Sequence, residues 1–136
     1  MKYLKAFESK FIESEKFKYW FEGSKIINKD GTPMIVYHGS DKNFRRFNLK
    51  QSTQGIIWFT NDKSAIENRE VGASGYGYIK KLYISMKNPA GWSEYEKYTL
   101  GQLENMGYDG CILPDDENKF DGFVFNTNQI RIANRI

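Results

Sequence analysis

The chain holds one cysteine and one histidine in 136 residues, and only three prolines. Cys111 alone excludes an intrachain disulfide, and one cysteine with one histidine cannot assemble a structural zinc site, so no metal is expected. A chain that builds no disulfide is expected in a reducing compartment, the cytoplasm. Long apolar runs are missing too. Over residues 1–20 a lysine or glutamate interrupts every few positions, which leaves neither a signal-peptide core nor a membrane span. Any chemistry that needs an imidazole has one candidate, His38.

What is present argues for a packed globule. With 40% hydrophobic and 16% aromatic residues, the chain is long enough to bury a core without staples, and residues 1–136 are read as one domain with a helical segment at about 1–23. The net charge of +3 is unevenly spread. Residues 1–50 carry 11 Lys/Arg against 6 Asp/Glu, and residues 51–136 carry 9 against 11. A basic front half helps a protein meet a nucleotide, RNA or DNA, and it reads equally as a solvated helix face.

Leu4, Phe7 and Phe11, then Phe17, Trp20 and Phe21, recur at helical spacing and stop at Gly23, which predicts one or two short helices. Ile26-Ile27 and Met34-Ile35-Val36 flank the polar turn Asn28-Lys29-Asp30-Gly31 and predict a β-hairpin. Strands are expected at 55–60, 78–86, 110–113, 123–125 and 129–132, and helices at 63–71 and 98–106. A glycine-rich loop spans 72–77, and an acidic loop spans 115–118. Phe44, Phe47 and Leu49 are expected to tack a loop to the body. The result is an α+β domain dominated by antiparallel strands.

The apolar run Pro33-Met34-Ile35-Val36 leads into Tyr37-His38-Gly39-Ser40, so His38 falls at the end of a buried strand where the Gly39 backbone admits a close ligand. His38 is either a core histidine satisfied by one backbone partner or the floor of a pocket. A serine hydrolase does not fit. Ser40 has no second histidine to serve it, and adjacent strand residues point oppositely. Taken singly, Trp58 is a core aromatic, Asp121-Gly122 a turn, Arg45 and Arg46 a solvated pair, and Cys111 a small core residue.

Taken together, three separated segments resemble the ADP-ribosyltransferase superfamily, in the branch that sets a histidine, an aromatic and an acid on three strands. The first is Tyr37-His38-Gly39-Ser40. The second is Gly55-Ile56-Ile57-Trp58-Phe59-Thr60 with Asn61-Asp62-Lys63-Ser64-Ala65. The third is Asp121-Gly122-Phe123-Val124-Phe125 with its Gln129-Ile130 tail. The resemblance covers about residues 14–132. Trp20-Phe21-Glu22-Gly23-Ser24-Lys25 and Gly107-Tyr108-Asp109-Gly110 are similar to segments of transferases in phage and mobile-element polyvalent proteins. A phage origin would make the site of action the host cytoplasm.

The resemblance implies two roughly perpendicular antiparallel β-sheets around an NAD cleft, with short flanking helices. It implies NAD as substrate, with contacts from Tyr37, His38, Gly39, Ser40, Arg45, Trp58 and Phe59. His38 would bind a ribose hydroxyl, the Gly39 backbone the nicotinamide carboxamide, and Trp58 would wall the nicotinamide. Asp121, with His38 the catalytic pair, would stabilise the cation left when nicotinamide departs. Three positions depart from the pattern. Asp121 stands where glutamate is usual, about 1.5 Å shorter in reach, with Glu117 as a substitute acid. Asn68 stands where many relatives carry tyrosine, a role open to Tyr76 or Tyr78. Lys119 stands where arginine-modifying relatives carry Gln or Glu. The implied activity is mono-ADP-ribosyl transfer from NAD to a protein or nucleic acid. The alternatives are a non-catalytic NAD-binding or interaction module and an NAD glycohydrolase.

Overall fold

The computed structural model describes residues 12–40, 55–67, 78–115 and 118–133. In chain order these form helix α1 (Glu15–Phe21), strands β1 (Val36–Ser40) and β2 (Ile57–Thr60), helix α2 (Lys63–Glu67), strands β3 (Tyr78–Ile84) and β4 (Pro89–Ala90), helices α3 (Trp92–Lys97) and α4 (Leu100–Asn105), and strands β5 (Gly110–Pro114), β6 (Phe120–Val124) and β7 (Ile130–Ile132). Expectations for the segment before Ile12, the 44–49 loop with Arg45 and Arg46, Asn68, the glycine-rich loop with Tyr76, and Glu117 lie outside the described residues.

Local chemistry explains the helix ends. Ser14 caps α1 by accepting the Phe17 N–H, and Thr99 and Gln102 form a reciprocal capping box on α4. Helix α3 was not expected. Its two aromatics, Trp92 and Tyr95, make too short an apolar stripe to register as periodicity, and its start is set by the Glu94 carboxylate accepting the Gly91 N–H at 2.7 Å. The expected 98–106 helix shortens accordingly to α4. The 26–36 hairpin reduces to one isolated bridge, Ile27↔Pro33. Its turn is held by Asp30 on Thr32 and by Asn28 on Thr32 and Pro33, with Gly31 at φ 87°.

The described strands form one seven-stranded sheet in the order β4-β5-β6-β2-β1-β3-β7. All pairs are antiparallel except β4 with β5. The α+β class holds, while a single sheet stands where two perpendicular ones were expected. Its two parts meet weakly. β1 and β2 share one register pair, Tyr37↔Thr60, whereas β1 and β3 share five.

The main core is built from the sheet's own side chains. Val36, Ile57, Phe59, Leu82, Ile84, Val124 and Ile130 cluster with Ile26 and Met86, and among the described residues no helical side chain joins them. Strands from both parts of the sheet reach one another only if the sheet curls over that face. The other face is covered by helices. Leu103 of α4 packs with Cys111, Leu113 and Phe123, and Phe17 and Phe21 of α1 pack with Tyr83.

The motif residues outside the strands are mostly structural. The Asp109 carboxylate accepts the N–H groups of Lys87 and Asn88 at 2.7 and 3.0 Å. Gln129 donates to the carbonyls of Ser85 and Asp109 at 3.2 and 2.9 Å. Buried Ser24 donates to Ile84 O at 2.6 Å and accepts from Met86 N. Gly122 is required by packing, because a Cβ there would lie 2.6 Å from the Phe59 ring and 2.6 Å from Cys111 O.

Candidate active site

The geometry at the β1–β2 junction follows from which way each peptide group points. Ala133 N donates to Lys81 O and Ser85 N to Gln129 O, so odd-numbered residues of β3 bond β7 and even-numbered ones bond β1. With the register His38↔Lys80, Val36, His38 and Ser40 therefore bond β3. Tyr37 and Gly39 turn their N–H and C=O groups toward β2. On β2, Asn61 N donates to Phe120 O, which leaves Thr60 and Trp58 facing β1.

The ladder between these strands holds Tyr37↔Thr60 and goes no further. One step on, Gly39 faces Trp58, and there the Trp58 carbonyl is taken by His38 Nδ1 at 2.6 Å. A carbonyl only accepts, so Nδ1 carries the proton and Nε2 is the accepting nitrogen of the neutral ring. Burial pushes the His38 pKa below the ordinary 6.5, while the Trp58 carbonyl pulls it up. The ring is neutral at pH 7. Gly39 thus presents a strand edge toward β2 outside the ladder.

Strand alternation sorts the side chains by face. Thr60 lies directly across from Asp121, and Trp58 across from Phe123. Tyr37, Trp58, Thr60 and Asp121 therefore share one face. His38 belongs to the opposite face with Val36 and Phe59, and it meets the first group through the Trp58 carbonyl. His38 and Asp121 lie two strands apart, about 10 Å at normal strand spacing.

Asp121 is half-buried. Burial raises its pKa above the usual carboxylate value, the nearby Thr60 hydroxyl pulls it down, and the charges of Asp115 and Asp62 raise it further. Trp58 is also part-buried, edge-on to Phe123 at 4.9 Å and to Tyr95 at 6.4 Å between ring centroids. It is at once a core contact and a partly open ring beside the gap. Phe59, expected among the NAD contacts, is 1% exposed in the core, where its ring fills the space over Gly122, so it has no surface to offer a ligand. Ser40 is buried at the end of β1, across from Tyr78. Cys111 is buried and its thiol is pushed up to about 11, which removes it as a nucleophile near neutral pH.

Sequence reasoning missed Thr60, Asn61 and Asp62 as companions of Asp121. They belong to the second motif itself, but only the β2–β6 register sets them beside the third. Among the described residues no cluster of His, Cys, Asp or Glu could hold a metal ion, and no helix is long and apolar enough to cross a membrane.

A family model described as ADP-ribosyltransferase in polyvalent proteins matches residues 28–102, more than half of the chain, and the chain belongs to that family. The matched stretch contains β1, β2 and the gap between them, and Asp121 lies beyond it. No curated protein and no solved structure matches the chain.

Proposed function

We propose that the chain is a mono-ADP-ribosyltransferase that moves ADP-ribose from NAD to a macromolecular acceptor, with residues 1–136 acting as one domain. The observation that carries the reading is the Gly39 edge. A carboxamide has one C=O and one N–H₂, which match the N–H and C=O that Gly39 turns toward β2, so nicotinamide fits as the partner the ladder lacks there. Trp58, across the gap, would wall the ring. His38, buried at the β1–β2 junction with Nδ1 on the Trp58 carbonyl, is the ribose-hydroxyl contact that this reading would assign.

The reaction breaks the bond between ribose C1′ and the nicotinamide nitrogen. The bonding pair leaves with nicotinamide and neutralises its ring. The acceptor's lone pair then bonds C1′ and the acceptor sheds its proton. Positive charge develops on the ribose between these events, and an ionised Asp121, across from Thr60 on the far side of β2 from the gap, would stabilise it. This role requires the carboxylate form, against the burial that raises its pKa. The two separate perpendicular sheets of the resembled fold would correspond here to the two parts of the sheet on either side of the β1–β2 gap.

The test uses NAD labelled in the ADP-ribose moiety. Incubation with cell lysate should yield labelled macromolecules and free nicotinamide, and separate protease and nuclease treatment assigns the acceptor class. Asp121→Ala should cut nicotinamide release about 100-fold while NAD affinity changes much less. NAD binding without nicotinamide release would make the chain a binding module. Release of free ADP-ribose with no labelled partner would make it a glycohydrolase.

A further inference from the structure

We propose that Asn61 is a positioning residue for Asp121, its carboxamide fixing the chain segment that enters β6. The inference rests on the transferase reading for its kinetic consequences and on geometry for its physical content. The β2–β6 ladder ends at Thr60↔Asp121. One step further, Asn61 N donates to Phe120 O at 3.2 Å. In a continuing antiparallel pair the Phe120 N–H would return to the Asn61 backbone carbonyl. It goes instead to the Asn61 side-chain Oδ1, at 2.8 Å. The same carboxamide donates through Nδ2 to Asn118 O at 2.5 Å.

Asn61 thereby holds Phe120 from two sides and Asn118 from one, immediately before the residue that carries the acid. The segment needs such a hold. Asn118 has φ 61°, a left-handed conformation that marks a sharp turn between β5 and β6. On the β5 side, among the described residues, the pairing continues through Asp115 N to Lys119 O at 2.9 Å.

Two other ties to β2 are weaker: the Thr60 hydroxyl donates to Phe120 O at 3.3 Å, long for an O–H donor, and an ion pair lies at the surface. Lys119 pairs with Asp62 at 3.5 Å, but its side chain is 55% exposed, and exposed pairs contribute little. The carboxamide bonds are short, directional and anchored to backbone. They set where the Asp121 carboxylate stands relative to Thr60, and catalysis depends steeply on such placement.

The experiment compares wild type, Asn61→Ala and Asn61→Asp. Nicotinamide release should show kcat lowered about 10- to 100-fold in the alanine variant, with KM for NAD within about twofold of wild type, since the Gly39 edge is untouched. Asn61→Asp keeps an acceptor for the Phe120 N–H and loses the bond to Asn118 O, so its kcat should lie between the other two. It also keeps the proposal testable should the alanine variant fail to fold.

A second readout does not need activity. The Asp121 carboxyl is titrated by carbon-13 NMR, assigned by comparison with Asp121→Asn. In Asn61→Ala the group, facing Thr60, Asp62, Asp115 and Lys119, should titrate closer to the ordinary carboxylate range as the released segment admits water. Wild-type kcat and KM in a folded variant, with unaltered Asp121 titration in Asn61→Ala, overturn the proposal. Wild type that neither binds nor cleaves NAD overturns the transferase reading alone, and the titration then still decides the role of Asn61.

Discussion

His38 Nδ1 lies 2.6 Å from the carbonyl oxygen of Trp58, in the place where the Gly39 amide would stand if β1 and β2 continued their pairing. One imidazole thus ends a β-ladder and fixes its own tautomer. The β1–β2 register pairing stops short of that point, and the proposed nicotinamide position lies there.

Stability should fall on acidification through His38. Its pKa is lowered in the folded protein, so between the ordinary 6.5 and the lower folded value the unfolded chain binds the extra proton and unfolding is favoured. Above that window the effect vanishes. His38→Asn keeps a donor near the Trp58 carbonyl without titrating. Urea unfolding at pH 7.5 and 5.5 should show a larger stability loss in wild type than in the variant, and equal losses would remove His38 from the pH response.

The acid limb of turnover should reflect Asp121. A carboxyl whose pKa is raised stays protonated to higher pH, so activity should fall on the acid side at a pH above the usual carboxylate range. Asp115 contributes to the rise. Asp115→Asn should therefore move the limb to lower pH, as measured by the pH profile of kcat. An unmoved limb would mean that another group controls it.

Gly122→Ala should destabilise the fold by about 1–3 kcal/mol through overpacking. The added Cβ meets the Phe59 ring and the Cys111 carbonyl, each at 2.6 Å, and the carbonyl is backbone that cannot swing away. A shift in the urea midpoint at constant m value reads the effect. A midpoint equal to wild type would show that β5 and β6 can separate without cost.

Gln129→Ala should cost about 1–3 kcal/mol. The side chain satisfies the carbonyls of Ser85 and Asp109 and accepts from Asn126 N at 3.1 Å, tying β7's entry to the end of β3 and the start of β5. Thermal unfolding followed by circular dichroism checks this, with nicotinamide release per folded molecule expected unchanged.

The sequence by itself placed strands at 55–60, 78–86 and 110–113, which the fold adjusts at their ends to 57–60, 78–84 and 110–114, together with the turn glycine Gly31 and the exclusion of an intrachain disulfide. The strands and the turn depend on residues within a few positions of one another, through period or backbone freedom. It also carried the family resemblance, since Tyr37-His38-Gly39-Ser40 and Trp58-Phe59-Thr60 stand in order along the chain. Only the tertiary structure decided that Thr60 and Asn61 flank Asp121 from 60 positions away, that Phe59 is core filler over Gly122 and not a ligand contact, and that the His38 proton goes to Trp58. Those relations rest on strand order and register. Register is fixed by which faces bury together in the folded sheet, and a one-residue slip would send every one of these side chains to the other face.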